Sequence, residues 1–202
     1  MVCLGAMNLE NVVPSVLSSL ADLYAKAEVP PVQRTIELLR QTPEHYVTDF
    51  GTLPEVTSHL TVALDAIPEA LRSPPLLELA NSPLWRAGRM IFPPCFQGKS
   101  AILELLGPHG LGVSHSVRSG LYLQSPGCLY PPHSHAAEEF YLVLSGHASW
   151  QKGESEFEKK SPGALIHHSS YESHAMRTFE VPLLAAWIWI GEDLTYDTYR
   201  ID

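Results

Sequence analysis

Residues 127–146 read Gly127-Cys-Leu-Tyr130-Pro-Pro-His133-Ser-His135-Ala-Ala-Glu138-Glu139-Phe-Tyr141-Leu-Val-Leu-Ser-Gly146. Their ionisable side chains are spaced to meet. On a β-strand alternate side chains share a face, so Glu139, Tyr141 and Val143 point one way and Phe140, Leu142 and Leu144 the other. His133 and His135 have the parity of Glu139, whereas Glu138 has the opposite one. A chain that stays extended or turns gently between them brings two imidazoles, a carboxylate and a phenol to one interior. Nitrogen and oxygen donors of this kind suit a first-row divalent ion with open coordination positions. Calcium prefers all-oxygen cages, and a structural zinc site is rich in thiolates.

On either side of this stretch the hydrophobic period changes. From Val12 to Arg89 apolar residues recur at helical spacing, as in Val16, Leu17, Leu20 and Leu23, or Leu60, Leu64 and Ile67. Prolines punctuate these runs at Pro14, Pro30, Pro43, Pro54, Pro68, Pro74 and Pro83, where helices are expected to begin or end. After Pro93 and Pro94 the segments Ala101 to Leu106, Val113 to Gln124, Glu139 to Leu144 and Leu183 to Ile190 read as strands bounded by Gly, Pro and Ser. Many short strands imply a sandwich or barrel. The expected architecture is mostly β, with a helical region over 1–95 packed on a β-barrel over 96–202.

The spacing of the central stretch resembles the first motif of the cupin superfamily, G-x5-H-x-H-x3-E-x6-G, with Gly127, His133, His135, Glu139 and Gly146 in the fixed places. That likeness implies a double-stranded β-helix barrel. A second cupin motif normally supplies a further histidine. Pro162-Gly163-Ala-Leu-Ile-His167-His168 and the following residues to His174 resemble it without the usual P-x-G. His174, which opens an apolar segment after a polar turn, aligns with the ligand, and His167 or His168 is the alternative.

Tyr130-Pro-Pro-His133-Ser-His135-Ala-Ala-Glu-Glu139-Phe-Tyr141 with a distant His174 is similar to the cupin-type dimethylsulfoniopropionate (DMSP) lyases, most of all the Q-type. The resemblance implies metal ligands at His135, Glu139, Tyr141 and His174 and a substrate pocket lined by Tyr130 and His133. The reaction it implies is β-elimination of DMSP to acrylate and dimethyl sulfide, with one divalent ion per chain, whether zinc, iron or manganese. Tyr141 is then the candidate base, with Tyr130 or His133 orienting or relaying. A free tyrosine has a pKa near 10, and bringing it to about 7 takes roughly 4 kcal/mol, which an ion within bonding distance supplies. The sulfonium carries charge without hydrogen-bond donors, so aromatic faces are its natural seat. Trp189, Trp187 and Tyr122 are the candidates.

Bulk properties narrow the alternatives. Apolar residues make up 45% of the 202, charged residues 17%, and the formal charge is −9. This is the composition of a folded domain without the clustered Lys and Arg of a nucleic-acid binder. Cys3, Cys95 and Cys128 are too few and too far apart for a disulfide framework, which favours a reducing compartment. No basic leader or run of about 20 apolar residues is visible, so a cytoplasmic protein, monomer or homodimer, is expected with no membrane partner. Cupins also include dioxygenases, isomerases of small carboxylates and non-catalytic ligand-binding modules, so the fold alone leaves those readings open.

Overall fold

The computed structural model of the chain describes residues 7–27, 30–41, 43, 45–47 and 52–201; Cys3 lies outside them. The helical half comes first, with α1 (Leu9–Ala25), α2 (Pro30–Leu39), α3 (Leu60–Asp65) and α4 (Pro74–Ala80), and 3-10 turns at Glu55–His59 and Glu69–Leu71. The Asn8 side chain caps α1 by accepting the Glu10 amide at 3.0 Å, and Ser73 caps α4. Pro30 and Pro74 open helices as expected, and Pro54 and Pro68 precede the 3-10 turns. Pro14 departs from the expectation, because it sits inside α1. Burial of Val13, Val16, Leu17, Leu20, Ala21 and Tyr24 along one stripe outweighs the single backbone hydrogen bond that the proline removes.

Eleven strands follow: β1 (Ser100–Gly107), β2 (Gly112–Val113), β3 (Arg118–Gln124), β4 (Leu129–Ser134), β5 (Glu138–Ser145), β6 (Ala148–Lys152), β7 (Glu158–Lys160), β8 (Leu165–His168), β9 (His174–Thr178), β10 (Leu183–Ile190) and β11 (Arg200–Ile201). They form a six-stranded sheet in the order β2-β1-β3-β10-β5-β8 and a five-stranded sheet in the order β11-β4-β9-β6-β7. The expected strand from Val113 to Gln124 is interrupted, since residues 114–117 form a turn between β2 and β3.

The strands of the larger sheet are buried on both faces, and the alternation along each decides what lies where. Phe140, Leu142 and Leu144 of β5 join Leu184, Ala186 and Ile188 of β10 in one apolar cluster with α1 to α4. Tyr141 and Val143, with Ala185, Trp187 and Trp189, belong to a second cluster inside the barrel. The helices therefore cover the outer face of the six-stranded sheet. The protein is a cupin barrel preceded by short helices.

Two glycines of the central motif have a steric basis. Gly146 turns the chain from β5 to β6 at φ +72°, and a Cβ there would lie 2.0 Å from the Pro182 carbonyl oxygen. Gly127, at φ +67°, delivers its amide to the Phe179 carbonyl at the start of β4.

Candidate metal centre and active site

Three strand registers bring the donors together. His133 on β4 pairs with His174 at the start of β9, and Glu139 on β5 lies opposite Trp189 on β10 and His168 on β8. His135 follows β4 directly. One donor atom from each of His133, His135, Glu139 and His174 lies within 4.8 Å of the others, and all four residues are buried. His133, which the family resemblance puts in the substrate pocket, thus sits among the metal-type donors as well.

The hydrogen bonds around these rings define their polarity. Nδ1–H of His133 donates to the Pro131 carbonyl at 2.8 Å, that of His135 to Ala137 at 2.9 Å, and that of His174 to Glu172 at 2.8 Å. A neutral imidazole with its proton on Nδ1 presents a lone pair at Nε2. Nε2 of His135 and Nε2 of His174 face the same carboxylate oxygen, Glu139 Oε2, at 3.3 and 3.1 Å. Lone pairs against an anionic oxygen repel one another unless positive charge lies between them. Ligands held about 2.1 Å from one ion stand roughly 3.0–3.4 Å apart in octahedral or tetrahedral geometry, so these separations fit a first-row divalent ion. Burial alone would raise the Glu139 pKa. Positive charge between the carboxylate and the Nε2 atoms of His135 and His174 outweighs burial and holds the carboxyl well below its ordinary value.

Beside this centre lies a small, mostly apolar cavity. Its walls include Tyr122, Tyr130, Tyr141, Trp187 and Trp189, together with Met90, Phe92, Tyr196 and Tyr199. Tyr130 stacks on the His133 ring at 4.2 Å, and its hydroxyl shares a 2.6 Å hydrogen bond with that of Tyr199. The Tyr122 hydroxyl donates to Gln124 at 2.7 Å, so only its ring is free to meet a ligand. Burial first, then the Glu139 charge, keep the Tyr141 phenol well above its usual pKa.

Trp189 does more than form a wall. Its indole N–H donates to Glu139 Oε1 at 2.6 Å and its ring lies 4.2 Å from that of His135. Behind the tryptophans Arg118 is buried, paired with Glu104 at 2.9 Å. Its guanidinium stands 5.9, 5.3 and 4.1 Å from the ring centres of Trp187, Trp189 and Tyr196. Arg118 also donates to the Leu194 carbonyl and the Tyr196 hydroxyl, which fastens the C-terminal segment over the cavity.

The alternative histidines fall elsewhere. His167 is the register partner of Phe140, stacks on it at 4.7 Å and bonds Glu138 at 2.7 Å, outside the donor group. His168 is fully buried and stacks on His174 at 3.9 Å; neither of its nitrogens is hydrogen-bonded among the described residues, and Nδ1 stands 3.7 Å from Glu172 Oε2.

The family model described as dimethylsulfoniopropionate lyase matches residues 27–185. The chain belongs to the DMSP lyase family. Among curated proteins it is similar to dimethylsulfoniopropionate lyase DddQ of Ruegeria pomeroyi, at 32% identity over 97 residues, 48% of this chain and 48% of that one. This match therefore spans about half the length of the curated relative. Among solved structures the fold is similar to a chain described under the DMSP lyases RdDddP and RnDddQII. That match has a TM-score of 0.73 at 24% identity, covering 96% of this chain and all of the other. It is also similar to DMSP lyase DddQ of Ruegeria pomeroyi, with TM-score 0.69, 20% identity, and coverage of 94% and 95%. The Q-type likeness read from residues 130–174 agrees with these relatives.

Relative to the DMSP lyase family match, Trp187, Trp189, Tyr196 and Tyr199 lie beyond the last matched residue. Sequence reasoning missed Tyr196, Tyr199 and Arg118, and also missed Met90 and Phe92. The last two come from the region read as helices packed on the barrel, and residues 86 and 102, which exchange both backbone hydrogen bonds at 2.9 Å, tie that segment to β1 beside the cavity. One signal was available for Arg118. A lone arginine in an apolar strand and a lone glutamate, Glu104, in another suggest a buried pair.

Proposed function

We propose that the chain is a metal-dependent lyase that cleaves DMSP to acrylate and dimethyl sulfide by β-elimination, with Tyr141 as the base. One observation carries the reading: Glu139 Oε2 faces two Nε2 atoms at 3.3 and 3.1 Å whose rings already donate from Nδ1, on the same strand face as Tyr141. His135, Glu139 and His174 would hold the ion, with Tyr141 and His133 close enough to complete its shell. A divalent ion bound there supplies positive charge that neutralises the substrate carboxylate and favours the Tyr141 phenolate.

Tyr141 accepts the proton from the carbon next to the carboxylate. The electron pair of that C–H bond forms the carbon–carbon double bond of acrylate, and the C–S pair leaves with sulfur as neutral dimethyl sulfide. Tyr130 and His133, stacked together, present a polar edge beside the reacting carbons, and Tyr199 fixes the Tyr130 hydroxyl. The aromatic walls exclude water, which strengthens each electrostatic interaction inside.

Residues 1–95 serve the 96–202 barrel in this reading, since α1 to α4 share one apolar cluster with its outer face. A reducing cytoplasm is the proposed setting, in keeping with the free thiols of Cys95 and Cys128. No helix among the described residues is long and apolar enough to cross a membrane.

The test is to load the purified protein with zinc, iron or manganese, add DMSP and measure headspace dimethyl sulfide beside a Tyr141→Phe control. Metal-dependent release that collapses in the control is expected. Absence of release from every metal-loaded form would overturn the assignment.

A further inference from the structure

The two tryptophans of β10 differ in one respect that bears on how a ligand lies in the cavity. Trp189 gives its indole N–H to Glu139 Oε1. Trp187, also buried and on the same wall, has an Nε1–H with no acceptor among the described residues. A buried indole N–H usually finds a partner, because leaving such a donor dry costs the full desolvation of the group. Trp187 is the register partner of Tyr141, so the unpaired donor sits across the strand pair from the proposed base.

The charge around it has one sign. Arg118 stands 5.9 Å from the Trp187 ring and 5.3 Å from that of Trp189 on its buried side. The faces of these rings are thus already turned toward a cation. A second cation stacked between them would add repulsion that Glu104 offsets only in part. An anion gains both the N–H and the nearby guanidinium.

We infer that Trp187 is a specificity-determining residue whose indole N–H binds a carboxylate oxygen of the ligand. The ligand then lies with its carboxylate against β10 and the metal-type donors, and with its cationic end toward the Tyr122 ring, away from Arg118. Among the described residues no guanidinium lies over the Tyr122 ring, whereas both faces of the neighbouring Tyr130 ring are covered by His133 and Phe96. Among the candidates for the sulfonium seat, Trp189, Trp187 and Tyr122, this reading favours Tyr122. It rests on the proposed lyase reading for the identity of the ligand, but the carboxylate donor stands on its own geometry.

The test uses zinc-loaded protein and two probes that split the substrate in half, acrylate and trimethylsulfonium. Trp187→Phe keeps the ring and removes the N–H. Acrylate affinity measured by calorimetry is expected to fall about tenfold, the range for a hydrogen bond to a charged group, while trimethylsulfonium affinity stays unchanged. With DMSP, KM should rise by a similar factor with kcat little altered, since the contact persists from ground state to transition state. In ¹⁵N-labelled wild-type protein, which needs no variant to fold, acrylate should move one indole N–H resonance strongly downfield, and Trp187→Phe should delete that resonance.

Equal loss of both probes in the variant, unchanged acrylate binding, or no indole shift would overturn the assignment. So would a wild-type protein that binds no small carboxylate. Loss of acrylate binding in the variant from a wild type that does not turn over DMSP would support the donor while removing DMSP as the substrate.

Discussion

Trp189 donates its indole N–H to Glu139 Oε1 at 2.6 Å, while the other oxygen of the same carboxylate faces His135 and His174. The carboxylate is thus held from the barrel wall on one side and turned toward the donor cluster on the other. An outer contact of this kind orients a ligand and sets the affinity of the whole site.

Trp189→Phe keeps the ring stacked near His135 and frees Glu139 to rotate. Metal affinity is expected to drop by roughly ten- to a hundredfold, the usual cost of losing such a contact. Competition against a chromogenic chelator measures it. An affinity equal to wild type would show that Glu139 is placed without Trp189.

Glu104 and Arg118 form a buried pair, and Arg118 also holds Leu194 and Tyr196. Glu104→Gln leaves the guanidinium buried without its counter-charge, and about 3–5 kcal/mol of stability should be lost in urea unfolding. Because the same guanidinium fastens the C-terminal segment, proteolysis after Leu194 should accelerate alongside. A loss under 1 kcal/mol would mean that solvent reaches the pair.

The metal-free protein should lose stability on mild acidification through His168. Burial, then the charge of His174, push its pKa down to about 2, against an ordinary value near 6.5. The unfolded chain therefore takes up a proton below pH 6.5 that the folded chain refuses. The stabilising difference is complete above pH 6.5 and is lost as pH falls from there toward about 2, by up to about 1.4 kcal/mol per pH unit. His133, depressed chiefly by burial, acts in the same direction. Urea titrations between pH 7.5 and 5 should show this slope, and His168→Phe should flatten it by about one proton. An unchanged slope in the variant would place the proton uptake elsewhere.

The hydroxyls of Tyr130 and Tyr199 share a 2.6 Å hydrogen bond. Tyr199→Phe keeps the ring over His133 and frees the Tyr130 hydroxyl, so kcat/KM for DMSP should fall between about twofold and tenfold, the range of one ordinary hydrogen bond. Circular dichroism should stay unchanged. A loss as large as that of Tyr141→Phe would give Tyr199 a direct part in the chemistry.

Much of the barrel was legible because β5 obeys a two-residue period without interruption. Phe140, Leu142 and Leu144 meet the helices, and Tyr141 and Val143 meet the interior, as parity requires. The choice among His167, His168 and His174 was not legible in the same way. It depends on the register of β8 and β9 against β5 and β4, which sets His167 opposite Phe140 and His174 opposite His133. Arg118, Tyr196 and Tyr199 escaped notice because their meaning lies in partners 76, 78 and 69 positions away along the chain. No local period encodes contacts of that span. The short strands β6, β7 and β11 carry too few residues for an alternation to show.

The central claim is that one ion sits between His135, Glu139 and His174. Anomalous diffraction from crystals grown with zinc and collected at its absorption edge tests it most directly. A single strong peak bonded at about 2.0–2.2 Å to Nε2 of both histidines and to Glu139 Oε2 is expected. A peak elsewhere in the molecule, or none at this centre under full zinc occupancy in solution, would contradict it.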